Sequence, residues 1–245
     1  MGKIVDGTFH TFNPWWGCTK VSAGCKHCYA EALAIRYGQD LWGPKAPRRL
    51  MSDDNWRKPL RWNSDARLLG IRHQVFCASM ADVFDLEAPE GQLERLWRLI
   101  RVTPYLDWML LTKRPQRIAD SLPADWGNGY PNVALGTTVE DSRVVGRVAI
   151  LTAVPAHERF LSVEPLIGPI DDLPLLGIDW IFGGAESGPY ARPMKQEWAD
   201  SIRRQCDEAG VRCSFKGGSF DRRQHREPSR ARVPQDRQLA LFDAP

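Results

Sequence analysis

Three cysteines fall within eleven positions in the segment GCTKVSAGCKHCYAEALAIRYG, as Cys18, Cys25 and Cys28 in a C-x6-C-x2-C spacing. Thiolate is a soft, anionic ligand, and three thiolates on a cubane iron–sulfur cluster leave one iron free for an outside ligand. Zinc is the competing reading, since Cys25 and Cys28 form a close pair and His27 or His10 offers a fourth donor. A zinc knuckle normally brings a second such pair, whereas Cys77, Cys206 and Cys213 lie far along the chain. Ordinary free thiols are the third possibility. A secreted disulfide framework fits poorly, because those occur in short chains with many evenly used cysteines.

The elements that must position these thiols are legible as alternation. Short apolar, β-branched or aromatic runs predict strands over Phe9–Asn13, Gln74–Met80, Trp108–Thr112, Val133–Thr138, Arg159–Glu164, Ile178–Gly183 and Val211–Lys216. Helices are expected between them over Tyr29–Tyr37, Glu90–Val102, Pro115–Ser121, Ser142–Leu151 and Gln196–Glu208. Parallel strands need crossover connections, and helices supply them, so βαβα order predicts an α/β fold: an open or partial (β/α) barrel with parallel strands and outer helices. Reactive groups in such folds collect where strands end. The predicted strand ends carry Ser79 and Asp82, Thr112 and Lys113, Thr137 and Glu140, Ser162 and Glu164, Glu186, and Lys216. Period-two alternation places Ser162 and Glu164 on one strand face, opposite Leu161 and Val163.

Residues 38–72 interrupt the pattern with Gly, Pro, Trp and Arg and are longer than an ordinary connection. They are expected to form an insertion, either a lid facing a substrate or an elaborated surface loop. The domain reading is therefore 1–218 as the barrel, with the insertion at 38–72, and 219–245 as a basic C-terminal tail. From Lys216 to Arg237 seven basic residues stand against three acidic ones, a charge pattern suited to a phosphate backbone. The whole chain, with a net charge of +3, is not basic enough to mark it as a nucleic-acid binder by charge alone. No apolar run reaches the ~20 residues of a membrane helix, and the first residues lack a secretory pattern, so a cytoplasmic protein with no membrane partner is expected.

The runs FNPWWGCTKVSAGCKHCYAE, SMADVF, LLTKRPQR, PNVALGTTVE, RFLSVEPL, DWIFGGAESGPYARPM and CSFKGG, in that order from about residue 9 to residue 218, resemble the three-cysteine-motif proteins of phages and mobile elements, which are similar to radical S-adenosylmethionine (SAM) enzymes. The resemblance implies a [4Fe-4S] cluster on Cys18, Cys25 and Cys28, SAM as cofactor and an external electron donor. It implies hydrogen abstraction by a 5′-deoxyadenosyl radical, with a modified thymine in phage DNA as the expected substrate and an isomerase-type rearrangement as the expected outcome. RNA, a peptide or a small metabolite is the alternative substrate, and a non-catalytic zinc or iron–sulfur nucleic-acid-binding protein is the alternative class. Ser79, Asp82, Ser162, Glu164 and Glu186 are the expected contacts to SAM or substrate. Two departures stand out: the usual first gap in radical SAM enzymes is three residues rather than six, and the family's GGESG element reads Gly183-Gly184-Ala185-Glu186-Ser187-Gly188.

Overall fold

The computed structural model describes residues 9–188 and 190–216. The elements run β1 (Phe9–Thr11), β2 (Trp15–Trp16), α1 (Tyr29–Arg36), β3 (Arg49–Leu50), α2 (Asp53–Leu69), β4 (His73–Cys77), α3 (Gln92–Arg101) and β5 (Leu106–Thr112). They continue with α4 (Ile118–Ser121), β6 (Val133–Thr138), α5 (Arg147–Thr152), β7 (Glu158–Val163), β8 (Trp180–Gly183), α6 (Gln196–Ala209) and β9 (Arg212–Phe215). Seven strands form one all-parallel sheet in the order β1-β4-β5-β6-β7-β8-β9, and β2 and β3 make a small antiparallel ribbon beside it. The expected seven strands and five helical segments are all present, with ends shifted by a few residues.

Two apolar layers flank the sheet. Val75, Cys77, Leu106, Trp108, Leu110, Val133, Leu135, Leu161, Val163 and Ile181 point toward the helices and join Leu96, Ile100, Val148, Leu151 and Ile202 in the main core. Their period-two neighbours Met109, Ala134 and Phe160 point the other way, with Phe9, Phe76, Leu111, Trp180 and Phe182 packed against them. The second layer shows the curvature. Phe76 and Phe182 belong to strands four steps apart, ~19 Å across a flat sheet at ~4.8 Å per step, yet their ring centroids are 6.4 Å apart. The sheet therefore curls into an open half-barrel, and its concave side is floored by aromatic rings. Gly136 makes room for that floor: a Cβ there would lie 2.2 Å from the Phe160 ring.

Residues 38–72, expected as an irregular insertion, contain the 17-residue helix α2. Ser52 caps it by accepting from Asn55 N–H, and Asp53 and Asp54 occupy its first turn, where they favour the positive end of the helix dipole. Trp56, Pro59 and Ala66 form its buried stripe. Trp56 meets Phe12 edge-on at 5.2 Å between ring centroids, and Trp62 stacks on His10 at 4.2 Å. This part of the segment is a crossover helix on the outside of the sheet rather than a lid. Residues 38–52, which include β3, border the cysteine loop through Trp42, Gly43 and Arg48. Among the described residues no helix is long and apolar enough to cross a membrane. The expected domain boundary after residue 218 and the basic tail lie outside the described residues.

Candidate functional site

Cys18, Cys25 and Cys28 follow β2 on a loop that crosses the C-terminal ends of the central strands. All three are unpaired, half-buried thiols. A short 3-10 turn over Ala23–Cys25 closes the first half of the loop, and Cys28 stands at the N-cap of α1. Burial pushes the Cys18 thiol up to about 12, reinforced by the carboxylate of Asp82 and opposed by Arg114. Burial also raises Cys28; the N–H groups of Glu31 and Ala30 draw it partly back, although no cap hydrogen bond forms. In the free protein these two groups are therefore thiols, and a bound metal centre would have to displace their protons. Among the described residues no three His, Cys, Asp or Glu side chains converge as ligands of a single metal ion.

Three groups from distant strand ends hold the six residues between Cys18 and Cys25. After β5, Arg114 donates from Nη2 to the Thr19 carbonyl (2.6 Å) and from Nη1 toward the Cys18 sulfur (3.7 Å). After β6, Glu140 accepts from the Ser22 hydroxyl (2.6 Å) and pairs with Arg147 at 3.2 Å. Gly24 is pressed on the same carboxylate, where a Cβ would fall 2.5 Å from Glu140 Cγ. After β8, Glu186 pairs with Arg192, which donates to the Ala23 carbonyl at 3.0 Å. Hydrogen bonds from Arg192 hold the Glu186 carboxyl below its ordinary range.

The hold on Cys18 continues into a buried ionic network. Arg114, Asp82, Asp85 and Arg48 have side chains at most 7% exposed. Arg114 Nη1 donates to Asp82 (2.9 Å), and its Nη2 lies 3.1 Å from Asp85, too oblique for a hydrogen bond, so that contact is ionic. Arg48 donates from Nε to the other oxygen of Asp85 (2.9 Å), from Nη2 to the Thr19 hydroxyl (2.9 Å), and reaches Glu87 at 3.1 Å. Burial raises the Asp85 carboxyl, and the guanidinium groups of Arg114 and Arg48 pull it the other way. Losing one member of such a network leaves an uncompensated buried charge, a change that typically costs about 3–5 kcal/mol.

Of the residues anticipated as ligand contacts, all five lie at strand ends, in two different situations. Asp82 is saturated: it accepts from Thr112 Oγ1 (2.6 Å), Lys113 N–H (3.0 Å), Phe84 N–H (3.0 Å) and Arg114. Glu186 is occupied by Arg192. The other three keep hydrogen-bonding capacity to spare. Ser79 sits against Asn13, whose Oδ1 also accepts from the N–H groups of Ser79 and Met80 at 2.8 Å each. Ser162 is buried on the same strand face as Phe160. Glu164 uses one oxygen on Lys216 at 2.7 Å, and Gly184 lies against its carboxylate, where a Cβ would sit 3.4 Å from Cδ. Cys77 is fully buried on the opposite, helix-facing layer.

Arg192 and Asn13 were not anticipated; Lys113 and Glu140 were expected only as strand-end groups, and the loop-holding roles of Arg114 and Glu140 were not read from the sequence. Lys113 directs its ammonium into the mouth, 3.4 Å from Thr138 Oγ1, close enough to Cys28 to favour its thiolate, and without an ion-pair partner among the described residues. The readable signal for Arg114 and Glu140 was a charged residue immediately after an apolar strand. Their partners are 96 and 118 residues away, a distance no local pattern bridges.

Among solved structures, spore photoproduct lyase complexed with dinucleoside spore photoproduct is similar at a TM-score of 0.55 and 12% identity, covering 82% of this chain and 74% of that one. A doubly substituted spore photoproduct lyase with bound AdoMet and dinucleoside spore photoproduct gives 0.54 and 12%, covering 84% and 75%. At that identity the likeness concerns the fold. No curated protein matches the chain. A family model matches residues 4–240, spanning the strands, the cysteine loop and all the clamping residues, and the chain therefore belongs to the family described as a protein of unknown function, DUF5131.

Proposed function

We propose that this chain is a radical SAM enzyme carrying a [4Fe-4S] cluster on Cys18, Cys25 and Cys28. The observation that carries the reading is a loop of three free thiols fastened across the mouth of a parallel half-barrel by Arg114, Glu140 and the Glu186–Arg192 pair. The donor set fits a cluster, because a cubane takes each thiolate at a different iron and needs no convergence on one point. When bound, the cluster and SAM would supply an electron and a 5′-deoxyadenosyl radical able to take hydrogen from an unactivated carbon.

The chain's own residues supply position and shelter. Lys113 would meet the carboxylate of SAM, and Ser79, Ser162 and the free oxygen of Glu164 would accept from or donate to its polar groups or to substrate. Asp82 and Glu186 serve instead to hold the loop. The aromatic rings of Phe76, Phe160 and Phe182 would form the base of the concave side and exclude water from it when substrate is bound. For substrate we propose a nucleobase, a modified thymine in DNA rearranged in an isomerase-type reaction; the binding of a dinucleoside by the similar lyase supports this choice over RNA, a peptide or a metabolite. An external donor would reduce the cluster.

The test is anaerobic reconstitution with iron and sulfide, then SAM and dithionite. The expected outcome is 5′-deoxyadenosine, lost on Cys18→Ala, Cys25→Ala or Cys28→Ala. Colourless protein that holds one zinc and leaves SAM intact would overturn the reading. Turnover with RNA or peptide and none with modified DNA would overturn the substrate.

A further inference from the structure

We propose that Arg114 sets the electronic environment of the cluster as well as the place of Cys18, acting as a positioning residue that donates one N–H to the sulfur of this ligand alone among the three. The proposal rests on the cluster reading and names the residue through which the fold regulates that centre.

The geometry is specific. One guanidinium spans the Cys18 sulfur (3.7 Å) and the next residue's carbonyl, Thr19 (2.6 Å), so the sulfur and the backbone that carries it are fixed by the same rigid fork. The fork is itself immobilised by Asp82 at 2.9 Å and Asp85 at 3.1 Å, with 3% of the side chain exposed. Arg48 fastens Asp85 and the Thr19 hydroxyl from the far side. Neither Cys25 nor Cys28 has a cation hydrogen-bonded to its sulfur among the described residues: Cys25 has the neutral Ser22 hydroxyl at 3.9 Å, and Cys28 has the helix start, with the Lys113 ammonium nearby but not bonded to it. Hydrogen bonds and positive charge at a cluster's sulfur ligands stabilise its reduced form, and burial strengthens that effect by excluding water. A buried arginine contacting one thiolate therefore raises the reduction potential, whereas the loop clamps through Glu140 and Arg192 touch only Ser22 and backbone.

Arg114→Lys and Arg114→Gln separate the two roles. Lysine keeps a cation for Asp82 and Asp85 but cannot span sulfur and carbonyl together; glutamine removes the cation. After reconstitution, iron and sulfide per chain, the midpoint potential followed by EPR, and amide hydrogen exchange of residues 18–25 are read for each. The expected result is iron content equal to that of the unaltered chain in Arg114→Lys, a midpoint potential shifted downward, further down in Arg114→Gln, and loop exchange several-fold faster in both. Full iron content with an unchanged potential in Arg114→Lys would overturn the proposal, whatever the exchange data show. If Arg114→Gln does not fold, Arg114→Lys decides alone. A folded Arg114→Lys that binds no cluster would contradict the expected full iron content and overturn the proposal. Failure of the unaltered chain to bind iron and sulfide would instead overturn the enzyme reading itself, a result distinct from all of these.

Discussion

Glu186, expected from the sequence as a contact to SAM or substrate, is engaged in the fold by an ion pair. Its side chain is 3% exposed, and its oxygens are taken by Arg192, which in turn holds the Ala23 carbonyl of the cysteine loop. Its folded carboxyl lies below the ordinary value of 4.5. A group depressed in the folded state adds stability that is fully present above its unfolded value and disappears as pH falls through the folded one. Urea midpoints measured at about pH 7 and about pH 3.5 should therefore fall steeply for the unaltered chain. Glu186→Gln should begin less stable at neutral pH and lose less on acidification; an equal loss would show that the pair contributes nothing. The grouping of the three thiols was legible because their spacing is local. The clamps were hidden, since Ser22 to Glu140 or Ala23 to Arg192 are pairings that only the sheet order creates.

At the scale of elements, the strands were readable because parallel strands buried on both faces are written as short apolar, β-branched runs. Helix α2 was not. Pro59 in its interior, four arginine and lysine residues between Arg57 and Arg67, and flanking Gly and Pro all read as loop. The signals it did carry were a Ser-Asp-Asp start and the spacing of Trp56, Pro59 and Ala66 along one stripe. α2 also feeds the site: Asn55 donates to the Asn13 carbonyl at 3.0 Å, and Asn13 fixes the turn at Ser79 and Met80. Ser52→Ala removes the cap and should lower stability by about 1 kcal/mol, seen as a lower denaturation midpoint with an unchanged slope. No change at all would mean that the 3.4 Å contact to Asn55 N–H carries no weight.

The whole molecule depends on the sheet curling tightly enough for opposite strands to touch. Gly136 permits this by giving the Phe160 ring a place to lie. Gly136→Ala puts a methyl into that ring and should destabilise by about 1–3 kcal/mol, measured by thermal or urea unfolding. Phe160→Leu in the same background should restore part of the loss. Failure of that rescue would place the strain elsewhere. That the chain forms an open parallel barrel followed from the order of its elements. The closeness of Phe76 to Phe182 did not, because curvature is a property of the sheet as a unit and of no one strand.

The two kinds of ion pair around the mouth answer differently to salt. Arg114, Asp82, Asp85 and Arg48 are sealed from solvent, whereas Lys216, which follows β9 and bridges to Glu164 just after β7, is 64% exposed. At about 1 M ionic strength the screening length shrinks to roughly 3 Å, which weakens exposed pairs and leaves buried ones nearly untouched. Concentrated salt is thus a selective tool for this protein: it loosens the rim while the thiol loop stays fastened.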